Sequence, residues 1–269
     1  MSNLMACKIS LLIAVYKRVD FLNLIFEALT KQTDQNFEIV ICEDDESSEI
    51  RLCVEEWQSK FTNKIKHVFQ HDNGFQKNKI LNKGIRTAWG DLLIFIDGDC
   101  IPHPLFVATY RRSRKSGFVL YGRRVMLSPS LTSALVTKKN KLPISVFDLL
   151  FSGSKKIFHA FYFPWLKKEK KSGLWGCNWG VDKNELVAIN GFDEDYNSAG
   201  IGEDVDVEWR LLMQGVRLLN IKNQAIVYHL NHSVHYSDSS VIININLCEI
   251  KKKLGRIYCL KGLFHSELD

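Results

Sequence analysis

Leu92-Leu93-Ile94-Phe95-Ile96 runs without a polar residue into Asp97-Gly98-Asp99. Five successive apolar residues fit a strand buried on both faces, and the glycine lets the backbone turn sharply between two carboxylates. Hard oxygen donors this close on a rigid strand end suit Mg²⁺ or Mn²⁺ shared with substrate phosphates, although Asp-Gly-Asp alone is also an ordinary turn. A second acidic pair, Glu203-Asp204, opens a helical pattern carrying Val207, Arg210, Leu211 and Gln214. A helix N-terminus favours an ionised, low-pKa carboxylate that can orient and deprotonate a hydroxyl; the plainer reading is an acidic capping turn. His229 ends the apolar run Ala225 to Tyr228, with His232 and His235 close by. An imidazole beside oxygen donors favours Mn²⁺ or a similar borderline ion. Trp175 and Trp179 lie among glycines with Asn178 between them, and such rings either face the C–H side of a sugar or fill the core.

These residues need a scaffold, and the periodicity supplies one. Lys8 to Tyr16, Phe37 to Cys42, Ile65 to Phe69 and Leu92 to Ile96 read as strands. Between them are helical patterns: one capped by Asp20 (Leu22, Ile25, Phe26, Leu29), one with Ile50, Val54, Trp57 and Phe61, and one over Lys77 to Ala88. This alternation predicts parallel βαβ units in a doubly wound α/β sheet. Loops that follow successive strands then meet on one rim, bringing Ala14 to Arg18, Asp44-Asp45 and Asp97-Gly98-Asp99 together. The acidic run Glu43 to Glu46 is also consistent with helix capping, and the polar, basic stretch His71 to Lys79 suits a base or a phosphate. Neither G-x-G-x-x-G nor G-x-x-x-x-G-K-[ST] occurs, so a dinucleotide-dependent dehydrogenase or a P-loop enzyme is not supported.

At 269 residues and 46% hydrophobic content, the chain can bury a sizeable core; its formal charge is +6. Seven scattered cysteines, none in a Cys-x-x-Cys pair, argue for a reducing, cytoplasmic setting. With no leader-like start and no apolar run of about 18 residues, neither a secretion signal nor a membrane span is expected. From Ser128 to Ser172 the alternation gives way to Lys155, Lys156, Lys167, Lys168, Lys170 and Lys171 among Phe151, Phe158, Phe161, Tyr162, Phe163 and Trp165. Lysines around aromatic rings suit a peripheral contact with the inner face of a membrane, a lid over a diphosphate, or a helical insertion with a solvated face. No nucleic-acid-binding signature accompanies them. Val241 to Leu263 reads as a terminal helix.

Ala14-Val15-Tyr16-Lys17-Arg18, Asp44-Asp45 and Asp97-Gly98-Asp99, at these spacings, resemble an inverting family-2 glycosyltransferase of the GT-A fold. The resemblance implies a Rossmann-like, mostly parallel sheet in one domain with nucleotide and acceptor halves. It implies that Ala14, Tyr16, Arg18 and Asp45 cradle base and ribose, that Lys79 and Asn82 line the nucleotide pocket, that Asp97 beside Gly98 meets the ribose or a metal-bound water, and that Asp99 binds the metal. The third metal ligand would be His229, with His232 as runner-up. Asn190-Gly191-Phe192-Asp193-Glu194, then Gly202 to Asp206 and Arg210-Leu211, resemble a galactosyltransferase-type C-terminal module. That likeness implies Asp204 as catalytic base and Glu203 in acceptor binding, with Trp175, Trp179 and Asn178 beside the acceptor. The chain then divides into a nucleotide-sugar half (1–126), a basic aromatic insert (127–172), an acceptor and catalytic half (173–236) and a terminal helix (237–269). The expectation is a Mn²⁺- or Mg²⁺-dependent transferase moving a sugar from a nucleotide-sugar, UDP-linked by resemblance, to a saccharide or glycolipid in cell-envelope polysaccharide or lipopolysaccharide synthesis. A non-catalytic nucleotide- or glycan-binding assembly protein and a sugar-nucleotide pyrophosphorylase are the alternatives.

Overall fold

A computed structural model describes residues 7–200, 202–233 and 237–264, so Ile201 and His235 lie outside the described residues. The first half alternates as its periodicity requires: β1 (Ile9–Val15), α1 (Val19–Thr30), β2 (Glu38–Glu43), α2 (Ser48–Gln58), β3 (Ile65–Phe69), α3 (Lys77–Thr87) and β4 (Leu92–Asp97). There follow β5 (Cys100–Pro102), α4 (Phe106–Ser113), β6 (Phe118–Tyr121), β7 (Arg123–Met126), α5 (Pro129–Val136), α6 (Val146–Phe151), a 3-10 turn (Ile157–Ala160) and β8 (Lys168–Lys170). The chain then builds β9 (Asn178–Asp182), α7 (Lys183–Ala188), α8 (Glu203–Met213), β10 (Arg217–Asn220), β11 (Ile226–His229) and α9 (Asp238–Lys253).

The strands form an eight-stranded sheet in the order β3-β2-β1-β4-β9-β6-β10-β8 and a three-stranded sheet β5-β11-β7. The four strands of the first half are parallel, and β9 enters antiparallel between β4 and β6. Residues of β1 alternate between two cores: Ile9, Leu11, Ile13 and Val15 face the layer of α1, while Leu12 faces that of α3. Fully burying each such side chain contributes about 1.5–3 kcal/mol, which is why the central strands read as unbroken apolar runs. α1 buries Phe21, Leu22, Leu24, Ile25, Phe26, Ala28 and Leu29 on its inner stripe.

Two local expectations need correction. Asp20 does not cap α1; it sits inside the first turn, held by the Arg18 guanidinium at 2.6 Å. The terminal helix ends at Lys253 instead of continuing to Leu263, because Gly255 takes a left-handed conformation (φ 63°) that breaks the helical repeat. Beyond it, Leu263 is buried and Ile257 packs against the same core as α3. All seven cysteines are free and buried.

The second half is fixed by a buried ion pair. Arg210 on α8 is 0% exposed; its Nε donates to Asp206 Oδ2 at 2.7 Å and its Nη1 to the carbonyls of Ile189 and Gly191, both at 2.8 Å. Asp206 also accepts from Tyr196 Oη at 3.2 Å. One guanidinium thus sets the angle of α8 against the Asn190–Glu194 loop, which Asn82 holds from α3 through Phe192 N–H, Phe192 C=O and the Glu194 carboxylate. Arg210→Met leaves the Asp206 carboxylate buried and unpaired, a loss of about 3–5 kcal/mol. Urea unfolding should show the midpoint falling accordingly, and an unchanged midpoint would rule out the central role given to this pair.

Candidate active site

β4 ends where its neighbours end, and the three loops meet as the topology requires. Ala14 pairs with Asp97, Asp44 N–H donates to Val15 C=O at 2.9 Å, and Gly98 N–H donates to Ala14 C=O at 2.7 Å. A Cβ at Gly98 would lie 2.7 Å from that carbonyl oxygen, so only glycine lets the two strand ends approach.

Beyond Gly98 the chain delivers Asp99 to the second sheet. β11 pairs antiparallel with β5, opposing His229 to Cys100, and Leu230 N–H donates to Asp99 C=O at 2.8 Å. His229 Nε2 lies 3.2 Å and His232 Nε2 2.8 Å from Asp99 Oδ2. Each of the three residues offers a ligand atom within 4.8 Å of the others. Burial works against the Asp99 charge, but the two imidazoles outweigh it and hold the carboxyl below its usual range; the bond to Asp99 raises the His232 pKa in turn. His229 Nδ1 is buried without a hydrogen-bond partner. One carboxylate and two imidazoles fit a borderline divalent ion such as Mn²⁺ better than Mg²⁺, which prefers oxygen donors.

A second acidic corner lies across the cleft. Lys77, at the start of α3, donates to Asp97 Oδ1 at 2.7 Å. Its ammonium stays charged because Asp97, Glu203 and Asp204 together outweigh the burial that opposes it. Lys77, Asp97, Glu203 and Asp204 line a narrow pocket with Ala14, Gly176 and Trp179. The Asp204 carboxylate accepts from Gly176 N–H at 3.2 Å and Val205 N–H at 2.9 Å. Glu203, although at the N-terminus of α8, is not a low-pKa acid: burial, opposed by Lys77 and reinforced by Asp204, pushes it up to about 7. Desolvation here outweighs the helix dipole.

The other residues singled out by sequence divide clearly. Ala14 lines the pocket. Tyr16 Oη and Lys17 Nζ both bond Asp72, while Arg18 lies over the Phe21 ring, 3.4 Å from its centroid. Asp45 is half-buried and accepts only a local bond from Glu46 N–H; it is Asp44 that ties the loops, accepting from Gln70 Nε2 at 2.7 Å and Gln76 N–H at 2.8 Å. Lys79 faces solvent. Lys77 enters the site in its place, and the signal was helical phase, since Lys77, Ile80, Leu81 and Gly84 share the sheet-facing stripe. Asn82 is a structural tie to the Phe192 loop instead of a pocket wall. Trp179 is 1% exposed and stacks on Phe95 at 4.5 Å, so it offers no open face to a sugar. Asn178 is equally enclosed, accepting from Tyr110 Oη and donating to the Ala225 and Arg123 carbonyls. Trp175 is half-buried, with cations around its ring.

A mixed sheet flanked by helices, with acids and imidazoles at one rim, is the GT-A fold. Residues 10–124 match the model of glycosyl transferase family 2. Chondroitin synthase of Pasteurella multocida (strain Pm70) is 26% identical over 270 residues, spanning 93% of this chain but 28% of that protein. GalNAc-T7 in complex with UDP, GalNAc and Mn²⁺ superposes with a TM-score of 0.63 at 13% identity, covering 90% of this chain and 47% of that one. The mannosyltransferase PcManGT from Pyrobaculum calidifontis, in complex with GDP-Man and Mn²⁺, gives 0.57 at 14% identity, covering 85% and 58%.

Glu203 generates a pH prediction. Its pKa rises from an ordinary 4.5 in the unfolded chain to about 7 in the folded protein. Folding therefore favours the protonated form, and this contribution is complete below pH 4.5 and lost as pH rises through 7. At about 1.36 kcal/mol per unit, the loss is at most about 3 kcal/mol. Melting temperatures of the metal-free protein from pH 5 to 8 should decline more steeply for wild type than for Glu203→Gln; parallel curves would place the Glu203 carboxyl in contact with water.

Proposed function

We propose that the chain is a metal-dependent inverting glycosyltransferase that takes its sugar from a nucleotide-sugar, and that UDP is the nucleotide. The observation that carries this reading is the pairing, on one rim, of the Asp99–His229–His232 cluster with the Asp204 pocket. Asp99, His229 and His232 would hold Mn²⁺ or Mg²⁺, whose charge when bound neutralises a leaving diphosphate. Lys77 pairs with Asp97 and orients it toward the same rim. Asp204, oriented by Gly176 N–H, would accept the proton of an acceptor hydroxyl as that oxygen attacks the anomeric carbon from the face opposite the diphosphate. The C–O bond to the acceptor forms as the bond to the diphosphate breaks, and a single displacement inverts the anomeric centre. Glu203 flanks the base in a drier environment and would help position the acceptor. In this reading 173–236 acts as a galactosyltransferase-type module and 1–126 as the donor half. Likeness to a chondroitin synthase supports a polysaccharide or glycolipid acceptor in the cell envelope, and the complexes with UDP and with GDP-Man make the nucleotide an open competition in the test.

In a thermal-shift panel of UDP, GDP, CDP and ADP with and without Mn²⁺, UDP should raise the melting point of wild type only when Mn²⁺ is present. Asp99→Ala should lose that shift. Asp204→Asn should keep it while transfer falls by about 10³-fold or more. Transfer at the wild-type rate would remove Asp204 from the mechanism, and a shift that ignores Mn²⁺ would remove the metal.

The insert also supports a peripheral membrane contact. Phe147, Phe151, Phe158 and Trp165 are 63–86% exposed among its lysines, the combination that seats rings at headgroup depth. Co-sedimentation with anionic liposomes should fall when these four are replaced by serine, and wild type that stays in the supernatant excludes the contact.

A further inference from the structure

Trp175 is ringed by positive charge: Arg123 Cζ lies 4.5 Å, Lys156 Nζ 4.8 Å and Arg124 Cζ 5.7 Å from its ring centroid. Arg123 also lies over Tyr121, 4.8 Å from the ring centre. The fold builds this cluster deliberately. β7 supplies both arginines, and paired backbone hydrogen bonds between Met126 and Lys155 (2.9 and 2.8 Å) bring Lys156 alongside, where it is held with φ 56°. Among the described residues no carboxylate makes an ion pair with any of the three cations. The carboxylate acting on Arg123, Glu208, is already engaged by the Gly173 and Leu174 N–H groups. Arg124 Nε is buried without a hydrogen-bond partner. Nearby, His159 is pushed below its usual pKa by burial, by Lys222 and by the Arg123 and Lys156 charges.

Cations cover aromatic rings on many protein surfaces, but three like charges on one half-buried indole, one with an unanswered donor, leave an anion missing. Position says which anion. Trp175 precedes Gly176, whose N–H holds the Asp204 carboxylate, and Met126, two residues along the strand from Arg124, stands opposite His229. The cluster therefore spans the rim from the metal-ligand strand to the Asp204 turn, with Asp99 and Asp97 acting on Arg124 from one end, and the Gly176 link sets the Trp175 ring on the base side, where the acceptor would enter.

We infer that Arg123, Arg124 and Lys156, on the Trp175 platform, bind a negatively charged group of the acceptor, a sugar carboxylate or a phosphate, with the sugar ring against the indole. The planar guanidinium fork matches either group through paired charge-assisted hydrogen bonds. This deepens the proposed function and rests on Asp204 lying beside the attacking hydroxyl.

The test uses three glycosides that differ only at C6: methyl β-glucuronide, methyl β-glucoside 6-phosphate and neutral methyl β-glucoside. Each is titrated into wild type, Arg123→Gln and Lys156→Gln by NMR. Wild type should bind at least one charged glycoside about tenfold or more tightly than the neutral one, in keeping with charge-assisted hydrogen bonds. Preference for the glucuronide identifies a carboxylate and preference for the 6-phosphate a phosphate, and either supports the site. Both variants should lose most of that preference, while the melting-point shift given by UDP with Mn²⁺ stays as in wild type. Equal affinity for charged and neutral glycosides overturns the inference. So does a variant that keeps the preference but loses the UDP shift, which would make the cluster a clamp on the donor diphosphate. Lys156 is solvent-exposed, so its variant carries the test if Arg123→Gln does not fold. If wild type shows the charge preference but no UDP shift, the anion site stands and the donor reading falls, so the two failures are distinct.

Discussion

Asp97, Glu203 and Asp204 line one pocket, and Asp99 follows two residues after Asp97, so the rest of the structure has to relieve a concentration of negative charge at one rim. Two like charges about 6 Å apart cost about 3 kcal/mol at an effective dielectric of 20, so acids gathered at one rim need partners. Each acid has a different remedy. Asp97 has the Lys77 ammonium, Asp99 has two imidazoles, Asp204 has backbone N–H donors, and Glu203 holds a proton more readily than a free carboxyl does. The remedies come from α3, β11, the Gly176 turn and burial itself, so no single element makes the site.

That dependence explains the second sheet. β5, β11 and β7 bury little by size, yet they are the shortest route for bringing His229 to Asp99 from the far end of the chain. It also explains why β9 runs antiparallel. Entering between β4 and β6 in that direction, it starts its strand at Asn178 next to Ile96 and so places the Trp175–Gly176 turn on the acidic rim. Burial of polar groups around these joints is dense, but Arg210, Asn82 and Asn178 each find several partners, as low-dielectric surroundings demand.

Much of this was legible in the sequence. An apolar run that breaks into Asp-Gly-Asp has few packing solutions, and the βαβ spacing places its end beside the loops after β1 and β2. What escaped was whatever depends on phase or on distant partners. Lys79 was named by resemblance to a basic pocket position, whereas the stripe of α3 that faces the sheet includes Lys77. Trp179 looked open because glycine flanks it, but an antiparallel strand inserted between two others puts that ring in the core, and nothing local announces such an insertion. Glu203 looked acidic from the helix dipole, but it is buried in a pocket shared with Lys77 and Trp179, which are distant in sequence. The end of α9 hung on one backbone conformation at Gly255.

The seven buried thiols have a use unrelated to chemistry at the site. They are distributed through the segment before β1, β2, α2, β5, the turn before β9, α9 and the tail beyond it, and a thiol reacts with an alkylating reagent only when its surroundings open. The chain therefore carries its own set of clocks. Cys248 and Cys259 time the release of α9 and the segment that follows it. Cys42 times separation of the central strands, and Cys100 and Cys177 time the parting of the two sheets where the acids meet the imidazoles.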